Sequence, residues 1–272
     1  MPQAFLHTPH GDVYYLKLGN GPRLLLAFHG FGADSSVFQC MGPLLQKDCT
    51  LYAIDLPFHG KTVWKESGFF PKQLESVVHA ILQCEGKERF EAIGHSLGGR
   101  LWLSLLARQG HRLDALYLLA PDGLQTRWMG LAGRLPLFMR QLIGRLATRP
   151  EKGLALARIL RRRGLVDDFV MQYLRYHLKT SVRRRRLLDT WYALSHFPMN
   201  TAKARSLLGS LQAPTLVLLG KRDTLAPATQ LRRALSGLPN VDIREADAGH
   251  QDICRWAAPF ILNAGRLRQS GS

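Results

Sequence analysis

The 272-residue sequence has few cysteines, few acidic residues and no long apolar run. Its four cysteines form no CxxC pair and lack metal-ligand spacing, so we expect reduced thiols and no bound metal. The absence of about 18 consecutive apolar residues argues against a membrane-spanning helix. Residues 1–12 lack the basic and apolar regions of a secretory signal. These absences together predict a cytoplasmic globular protein.

The scarcity of acidic residues is local. The chain holds 37 Lys and Arg against 20 Asp and Glu, a formal net charge of +17. Residues 125 to 205 alone contain 18 Lys and Arg against four Asp and Glu, a local charge of +14. The positive charge therefore belongs to one segment of the chain, and that segment needs its own explanation.

Outside the basic segment, short apolar runs alternate with helix-like stretches. Five runs are apolar almost throughout and are bounded by Gly, Pro or Asp, as in strands buried on both faces of a parallel sheet: 24–28, 51–54, 90–93, 115–120 and 215–219. Further strand candidates are 12–18 and 241–246, and helical apolar spacing occurs in 71–83 and 99–108. This order predicts an α/β fold with a mostly parallel, doubly wound sheet.

The strand pattern stops between about residues 123 and 208. Three stretches there have helical character: 134–147, 154–163 and 170–179. In the first, the apolar residues that share one helical face are Leu135, Phe138, Leu142 and Leu146. We therefore predict a core domain formed by residues 1–122 and 207–272, interrupted by an all-helical, arginine-rich cap over 123–206.

A serine stands between two glycines where the third apolar run gives way to a helix-like stretch. The segment Gly94-His-Ser-Leu-Gly98 fits the G-x-S-x-G nucleophile elbow, in which a sharp strand-to-helix turn projects the serine hydroxyl from the sheet edge. The glycines are needed because a Cβ at either position would collide with the helix or a neighbouring strand. An ordinary tight turn is the competing interpretation of this pentapeptide.

A serine hydroxyl becomes a good nucleophile only beside a histidine base that a carboxylate orients. Asp223 follows the run 215–219, and His250 lies in the loop after 241–246. The order Ser96, Asp223, His250 is the chain order that this type of elbow requires. Asp122 competes for the role of the acid, although its Ala-Pro-Asp-Gly setting is also that of a turn residue.

Five motifs, in order along the chain, resemble those of α/β-hydrolases of the esterase and lipase type that carry a helical cap. They are His29-Gly-Phe-Gly, Asp55-Leu-Pro-Phe-His-Gly-Lys-Thr, Gly94-His-Ser-Leu-Gly-Gly, Gly-Lys-Arg-Asp223 and Ala-Gly-His250. The resemblance implies a serine hydrolase with Ser96 as nucleophile, His250 as base and Asp223 as acid. It also implies an oxyanion hole made by the backbone N–H groups of Phe31 and Leu97, with no cofactor or metal.

Two positions depart from this family's pattern. Phe58 stands where glycine is common in the family, so the path of its loop is expected to differ. Gln251 replaces the tryptophan often found in carbon–carbon bond hydrolases, which makes that reaction less expected. A serine nucleophile, rather than an aspartate, speaks against dehalogenase and epoxide-hydrolase chemistry.

The expected reaction is hydrolysis of a carboxylic ester of a small acyl substrate, with acylglycerols and lysolipids among the candidates. The acyl pocket is predicted from apolar residues of 128–146 and 187–197. The alternatives are thioester, amide or carbon–carbon bond hydrolysis by the same residues, and a binding protein with negligible turnover.

Two weaker patterns remain. Gly30-Phe-Gly-Ala-Asp-Ser and Asp55 faintly resemble a dinucleotide fingerprint, but Ser35 replaces its third glycine. The arginine clusters at 161–163 and 183–186 fit either a solvated face or peripheral attraction to an anionic membrane or an anionic substrate. Charge alone would also suit nucleic acid, which we do not expect because no reading motif accompanies it.

Overall fold

The computed structural model describes residues 3–122, 124, 149–164 and 168–269. Its strands are β1 Gln3–Thr8, β2 Gly11–Leu18, β3 Arg23–Phe28, β4 Cys49–Ile54, β5 Val63–Trp64, β6 Phe90–His95, β7 Leu113–Leu119, β8 Thr215–Gly220 and β9 Val241–Ala246. Each predicted strand therefore forms, while β1 and β5 were not predicted.

Helices fill most of the connections between strands. They are α1 Gly42–Leu45, α2 Pro71–Glu85, α3 Leu97–Gln109, α4 Pro150–Arg162, α5 Asp168–Leu178, α6 Ser181–Leu194, α7 Thr201–Ser210, α8 Ala228–Leu235 and α9 Cys254–Gln269, with 3₁₀ helices at Ser35–Met41 and Gly110–Arg112. The predicted helix 134–147 lies outside the described residues. None of the described helices has the length and hydropathy that crossing a bilayer requires.

The sheet order is β1-β2-β4-β3-β6-β7-β8-β9, with β5 paired to β2. The pairs from β4 to β9 are parallel, and β2 joins β1, β4 and β5 in antiparallel pairs. This arrangement confirms the predicted α/β class with a mostly parallel, doubly wound sheet. The chain reverses direction across the sheet between β3 and β6, and ligand sites in such sheets lie at the carboxyl ends of the strands near this reversal.

The central strands are buried because both faces of the sheet are covered. Along β3, Leu24, Leu26 and Phe28 enter one apolar cluster, which includes side chains of α2 and α3. The alternate residues Leu25 and Ala27 enter a second cluster on the other face, with side chains of α9. Two-sided burial explains why these strands read as continuous apolar runs.

Between β7 and β8 the described residues contain α4, α5, α6 and α7, in the stretch where the sequence predicts a helical insertion. The first three pack in series, α4 against α5 and α5 against α6. In contrast, α7 packs against α3 and α8 of the core. The predicted division between residues 206 and 207 falls inside α7.

Candidate active site

Ser96 occupies the turn between the end of β6 and the first residue of α3. Its backbone has φ 49° and ψ −113°, a strained conformation for a residue other than glycine. The backbone on both sides of the turn is tied to the end of β7, because the Ser96 N–H donates to the Leu119 carbonyl at 2.9 Å and the Ser96 carbonyl accepts from the Asp122 N–H at 3.0 Å. These bonds hold the strained turn in place.

The two glycines of the elbow allow α3 to lie directly against the sheet. A Cβ on Gly98 would stand 1.9 Å from the carbonyl oxygen of Phe28, and a Cβ on Gly94 would stand 2.5 Å from the Cα of Gly99. Real Cβ atoms do not approach backbone atoms so closely. The steric reason predicted from the sequence therefore holds at both positions.

Ser96, His250 and Asp223 meet at the carboxyl edge of the sheet. The Ser96 Oγ lies 2.9 Å from Nε2 of His250, and Nδ1 of His250 lies 2.7 Å from Oδ2 of Asp223. A carboxylate only accepts hydrogen bonds, so Nδ1 carries the proton and Nε2 of a neutral imidazole is left to accept the Ser96 hydroxyl proton. The arrangement can therefore deprotonate the serine and stabilise the imidazolium that forms.

Asp223 is fixed by its own loop. Its Oδ1 accepts the backbone N–H groups of Leu225 and Ala226, each at 2.8 Å, which leaves Oδ2 directed at His250. Burial raises the pKa of the carboxyl group, but the hydrogen bond and charge of His250 and the two backbone N–H groups outweigh burial and lower the pKa overall. Asp223 is therefore ionised at neutral pH.

Asp122, the competing acid, lies in a different environment. Its Oδ2 is 3.6 Å from Nη1 of the buried Arg100, whose Nε donates to the Phe197 carbonyl at 3.1 Å. The structure thus brings Asp223 and not Asp122 to Nδ1 of His250. Arg100 links the ends of two segments, since Asp122 follows β7 and Phe197 follows α6.

His95 supports the loop that carries His250. It is buried, and its Nε2 donates to the backbone carbonyl of His250 at 2.8 Å. Burial, and after it the neighbouring His250, lower the pKa of His95 to about 4, so the ring is neutral at neutral pH. The sequence interpretation of His95 as structural therefore agrees with its contacts.

The loop after β3 adjoins Ser96. A Cβ on Gly30 would lie 3.3 Å from the Ser96 Cβ, which places the His29-Gly-Phe-Gly segment beside the nucleophile. His29 is buried and braces this loop, since its Nδ1–H donates to the Gly30 carbonyl at 2.8 Å and its Nε2 accepts the Leu56 N–H at 3.0 Å. Phe31 and Leu97, the predicted oxyanion-hole residues, accordingly stand on the two backbone segments that flank Ser96.

The buried Asp55 has a structural role at the end of β4. Its Oδ1 accepts the Ser35 N–H at 2.6 Å and its Oδ2 accepts the Lys61 N–H at 2.7 Å. Both carboxylate oxygens thus bind the protein's own backbone. A ribose hydroxyl would have to displace these bonds, so the geometry argues against the dinucleotide interpretation.

Phe58, the departure from the family pattern, adopts φ 68°, in the left-handed region that glycine favours. Its loop therefore keeps a glycine-like backbone despite the phenyl side chain. The ring lies 6.0 Å from that of Phe69, and the Phe58 carbonyl accepts from Nε of Arg186 at 3.0 Å. These contacts offset the backbone strain and attach α6 to the core.

Two residues for which the sequence predicts no role at the site, His177 and Arg186, bring α5 and α6 to it. The His177 ring of α5 lies 4.9 Å from the Phe31 ring, and Arg186 of α6 binds the Phe58 loop. Burial, then the charges of Arg183 and Arg186, lower the pKa of His177 to about 4. No sequence signal separates Arg186 from the three arginines that precede it.

An apolar cluster lies beside the Phe31 loop. It is formed by Leu178 and Leu187, which are buried, and by partly buried residues that include Phe31 and Trp191. Trp191 and Leu187 belong to the predicted acyl-pocket range 187–197, whereas its other range, 128–146, lies outside the described residues. The described part thus places apolar side chains next to one predicted oxyanion residue.

Elsewhere the described residues offer neither a metal site nor a free cationic ligand pocket. Within 3–122, 149–164 and 168–269, no three His, Cys, Asp or Glu side chains are grouped so that they could hold a metal ion. A cavity of about 770 Å³ opens at the opposite, amino end of the strands. Its arginines are already engaged, Arg23 by Glu91 and Arg89 by Asp114.

The parallel sheet, the strained serine turn, and the histidine and carboxylate at the same rim define the layout of an α/β-hydrolase. The family described as alpha/beta hydrolase fold matches residues 23–253. The chain belongs to the α/β-hydrolase fold family, and it is a hydrolase.

The chain is similar to several hydrolases of known name. It is 25% identical over 259 residues to the pimeloyl-[acyl-carrier protein] methyl ester esterase of Klebsiella pneumoniae, covering 94% of this chain and 79% of that protein. It is 23% identical over 270 residues to a 2-hydroxy-6-oxononadienedioate/2-hydroxy-6-oxononatrienedioate hydrolase of Pseudomonas putida, covering 92% and 88%. A thermophilic esterase from Thermogutta terrifontis matches the fold with TM-score 0.70, 17% identity and 99% coverage of both chains.

Proposed function

We propose that the protein cleaves carboxylic esters through an acyl-enzyme formed on Ser96. The observation that carries this proposal is the continuous chain of contacts from the Ser96 hydroxyl to Nε2 of His250 at 2.9 Å and from its Nδ1 to Asp223 at 2.7 Å. Esterases among the similar proteins support the same reaction class.

In the acylation step, His250 takes the hydroxyl proton while Ser96 Oγ attacks the ester carbonyl carbon. The carbonyl oxygen becomes negative and is stabilised by the backbone N–H groups of Phe31 and Leu97. Collapse of this tetrahedral intermediate breaks the bond to the alcohol oxygen, which leaves with the proton held by His250. Asp223 stabilises the imidazolium throughout.

In the deacylation step, a water molecule replaces the alcohol. His250 removes one proton from this water, whose oxygen attacks the acyl carbon, and the same two N–H groups stabilise the second oxyanion. Breakage of the bond to Ser96 releases the carboxylic acid and returns the proton to the serine oxygen. No redox partner or group-transfer cofactor is needed for this sequence.

The acyl group is proposed to lie against the apolar cluster around Phe31. The partly buried Trp191 of α6 and Phe31 offer apolar surface at this point, and the buried Leu178 and Leu187 pack behind them. An acyl chain bound there would keep its carbonyl close to the Phe31 N–H. This assignment favours esters with an apolar acyl part, such as acylglycerols and lysolipids, over esters of small polar acids.

The first test is covalent labelling of the nucleophile with a fluorophosphonate probe. We expect rapid labelling of the wild-type protein and none of Ser96→Ala, with the site located by peptide mass spectrometry. A folded wild-type protein that resists the probe would favour a binding protein with negligible turnover and would refute the proposed function.

A substrate panel then separates the reaction types. It contains p-nitrophenyl esters of graded chain length, a monoacylglycerol, a lysophospholipid, an acyl thioester and an anilide. A monomethyl ester of a dicarboxylic acid is included because of the name of the Klebsiella relative. We expect the highest kcat/KM for an ester with an apolar acyl chain, whereas a thioester or amide preference would assign the same residues to one of the alternative reactions.

A further inference from the structure

The basic segment of the chain also carries an unusual share of exposed apolar side chains. Five large apolar residues on α4, α5 and α6 are exposed: Leu156, Ile159, Tyr176, Val182 and Tyr192. The remaining described parts, which are much longer, expose five others. Exposed apolar side chains among many cations are typical of surfaces that enter the interface of an anionic bilayer.

The outer face of α4 shows this combination most clearly. Leu156 and Ile159 are 41% and 50% exposed, and Ala157 on the opposite side of the helix is buried. At 100° per residue, Lys152, Arg162 and Arg163 fall within one turn of this apolar pair and are also exposed. Arg158 is exposed on the side of the helix away from this pair, and Glu151 lies between the two sides.

A second exposed corner lies where α5 ends and α6 begins. Tyr176 is 53% exposed and Val182 is 69% exposed. The Arg183 guanidinium carbon stands 4.0 Å from the centre of the Tyr176 ring, which pairs a cation with an amphipathic aromatic side chain. Arg175 and Lys179 are exposed on the same corner.

We propose that these two regions, the outer face of α4 and the corner at 175–185, form a docking surface for a bilayer that contains anionic phospholipid. The arginines would contact lipid phosphates while Leu156, Ile159 and Val182 enter the headgroup region. The charge distribution supports this orientation, since +14 of the net +17 lies within residues 125 to 205. Such an asymmetric charge turns the basic side of the molecule toward a negative surface.

An acidic protein is the other partner that this charge would attract. The side chains favour a bilayer, because Leu156 and Ile159 are exposed on a helix face between the exposed cations Lys152 and Arg163. Lipid headgroups can rearrange around such side chains, whereas a folded partner needs a matching pocket for each. The contribution of these two side chains therefore distinguishes the two partners experimentally.

Vesicle pelleting tests the proposal without relying on turnover. The full chain carrying Ser96→Ala is mixed with vesicles of phosphatidylcholine, with or without phosphatidylglycerol, so that no lipid is hydrolysed. We expect binding to the anionic vesicles only, weakened by added salt. Lys152→Gln/Arg163→Gln should bind about thirty-fold more weakly, at about 1 kcal/mol for each cation removed.

The apolar part is tested with Leu156→Ser/Ile159→Ser, which keeps every charge. We expect at least about tenfold weaker binding for this pair, because less apolar area enters the interface. The matched control is Leu44→Ser/Val63→Ser, two exposed apolar residues outside the basic segment, which should bind like the parent.

Two results would overturn the proposal. One is equal recovery of the protein with neutral and anionic vesicles. The other is unchanged binding by Leu156→Ser/Ile159→Ser, which would show a purely ionic contact and point to an acidic protein partner. Fluorophosphonate labelling of the same variants on a serine-containing background reports separately on the proposed hydrolase activity.

Discussion

His95 offers a sharp test of how the candidate site is held together. Its imidazole is buried and donates to the backbone carbonyl of His250 at 2.8 Å. We predict that His95→Leu lowers kcat because the loop carrying the base loses this bond. A glutamine side chain has an N–H donor at a similar reach, so His95→Gln should keep most of the activity.

The size of the effect follows from the burial of this hydrogen bond. Leaving a buried carbonyl without its donor costs about 1–3 kcal/mol. If misplacement of His250 raises the activation free energy by this amount, kcat falls roughly 5- to 150-fold. KM should change by no more than roughly twofold, because His95 lies behind His250 and supports it through the backbone.

The assay is steady-state kinetics on the best p-nitrophenyl ester, combined with fluorophosphonate labelling rates and urea unfolding of each variant. Since the pKa of His95 is about 4, its ring stays neutral and its N–H donor persists throughout neutral pH. The pH profile of His95→Gln should therefore parallel that of the wild type. The reasoning is refuted if folded His95→Leu retains wild-type kcat, or if His95→Gln loses as much activity as His95→Leu.

Three further predictions concern stability, each measured by urea denaturation. Burial lowers the pKa of His95 from 6.5 to about 4, so between these two pH values the unfolded state binds more protons than the folded state. The free energy of unfolding should therefore fall by about 3 kcal/mol for His95 alone as the pH drops from about 6.5 to 4, and His95→Gln should abolish this contribution. Arg100→Met should lower the free energy of unfolding by about 3–5 kcal/mol, because it removes the cation beside the buried Asp122. Adding Asp122→Asn should recover part of this loss, and equal losses for the single and double variants would contradict an ionic origin of the effect. Gly98→Ala should destabilise the fold by more than about 3 kcal/mol, since the new Cβ would collide with the sheet backbone, and a tolerated Gly98→Ala would disprove this close approach. As a control, Gly209→Ala in α7 should stabilise the fold by about 0.5 kcal/mol, because its Cβ would have an ordinary contact at 3.6 Å.

The central strands could be predicted from the sequence because their burial leaves an unmistakable pattern. β4, β6 and β8 are buried at every position, so they appear as largely apolar runs, in which the buried Glu91 of β6 is the charged exception. β1 was missed because it is an edge strand paired only with β2, and β5 because it has two residues. Such short or one-sided pairings leave little trace in composition.

The candidate catalytic residues could be predicted because the fold constrains their order along the chain. Each follows a strand, and the carboxyl ends of parallel strands meet at one rim. The choice between Asp122 and Asp223 was not resolvable in this way, since both follow strands. It depends on side-chain geometry, namely the approach of Asp223 to His250 and of Arg100 to Asp122.

The four consecutive arginines at 183–186 show why charge runs resist interpretation from sequence. Arg183 stacks on Tyr176, Arg184 donates to the Leu178 carbonyl, and Arg186 reaches the Phe58 loop. Arg185 lies largely in solvent, 3.6 Å from Asp189. The helical turn of 100° per residue separates these side chains, so one run serves both the interior and the surface.

The catalytic residues of the candidate site are held by hydrogen bonds from their own turns and from neighbouring strand ends. Ser96 is tied to the residues after β7, Asp223 is held by the N–H groups of its own turn, and His250 is held through its carbonyl by His95. A reactive geometry fixed in this way needs little reorganisation when charge develops in the transition state. Loss of activity is therefore expected from substitutions that touch none of the reacting atoms, and His95 is the position where this consequence can be measured apart from folding.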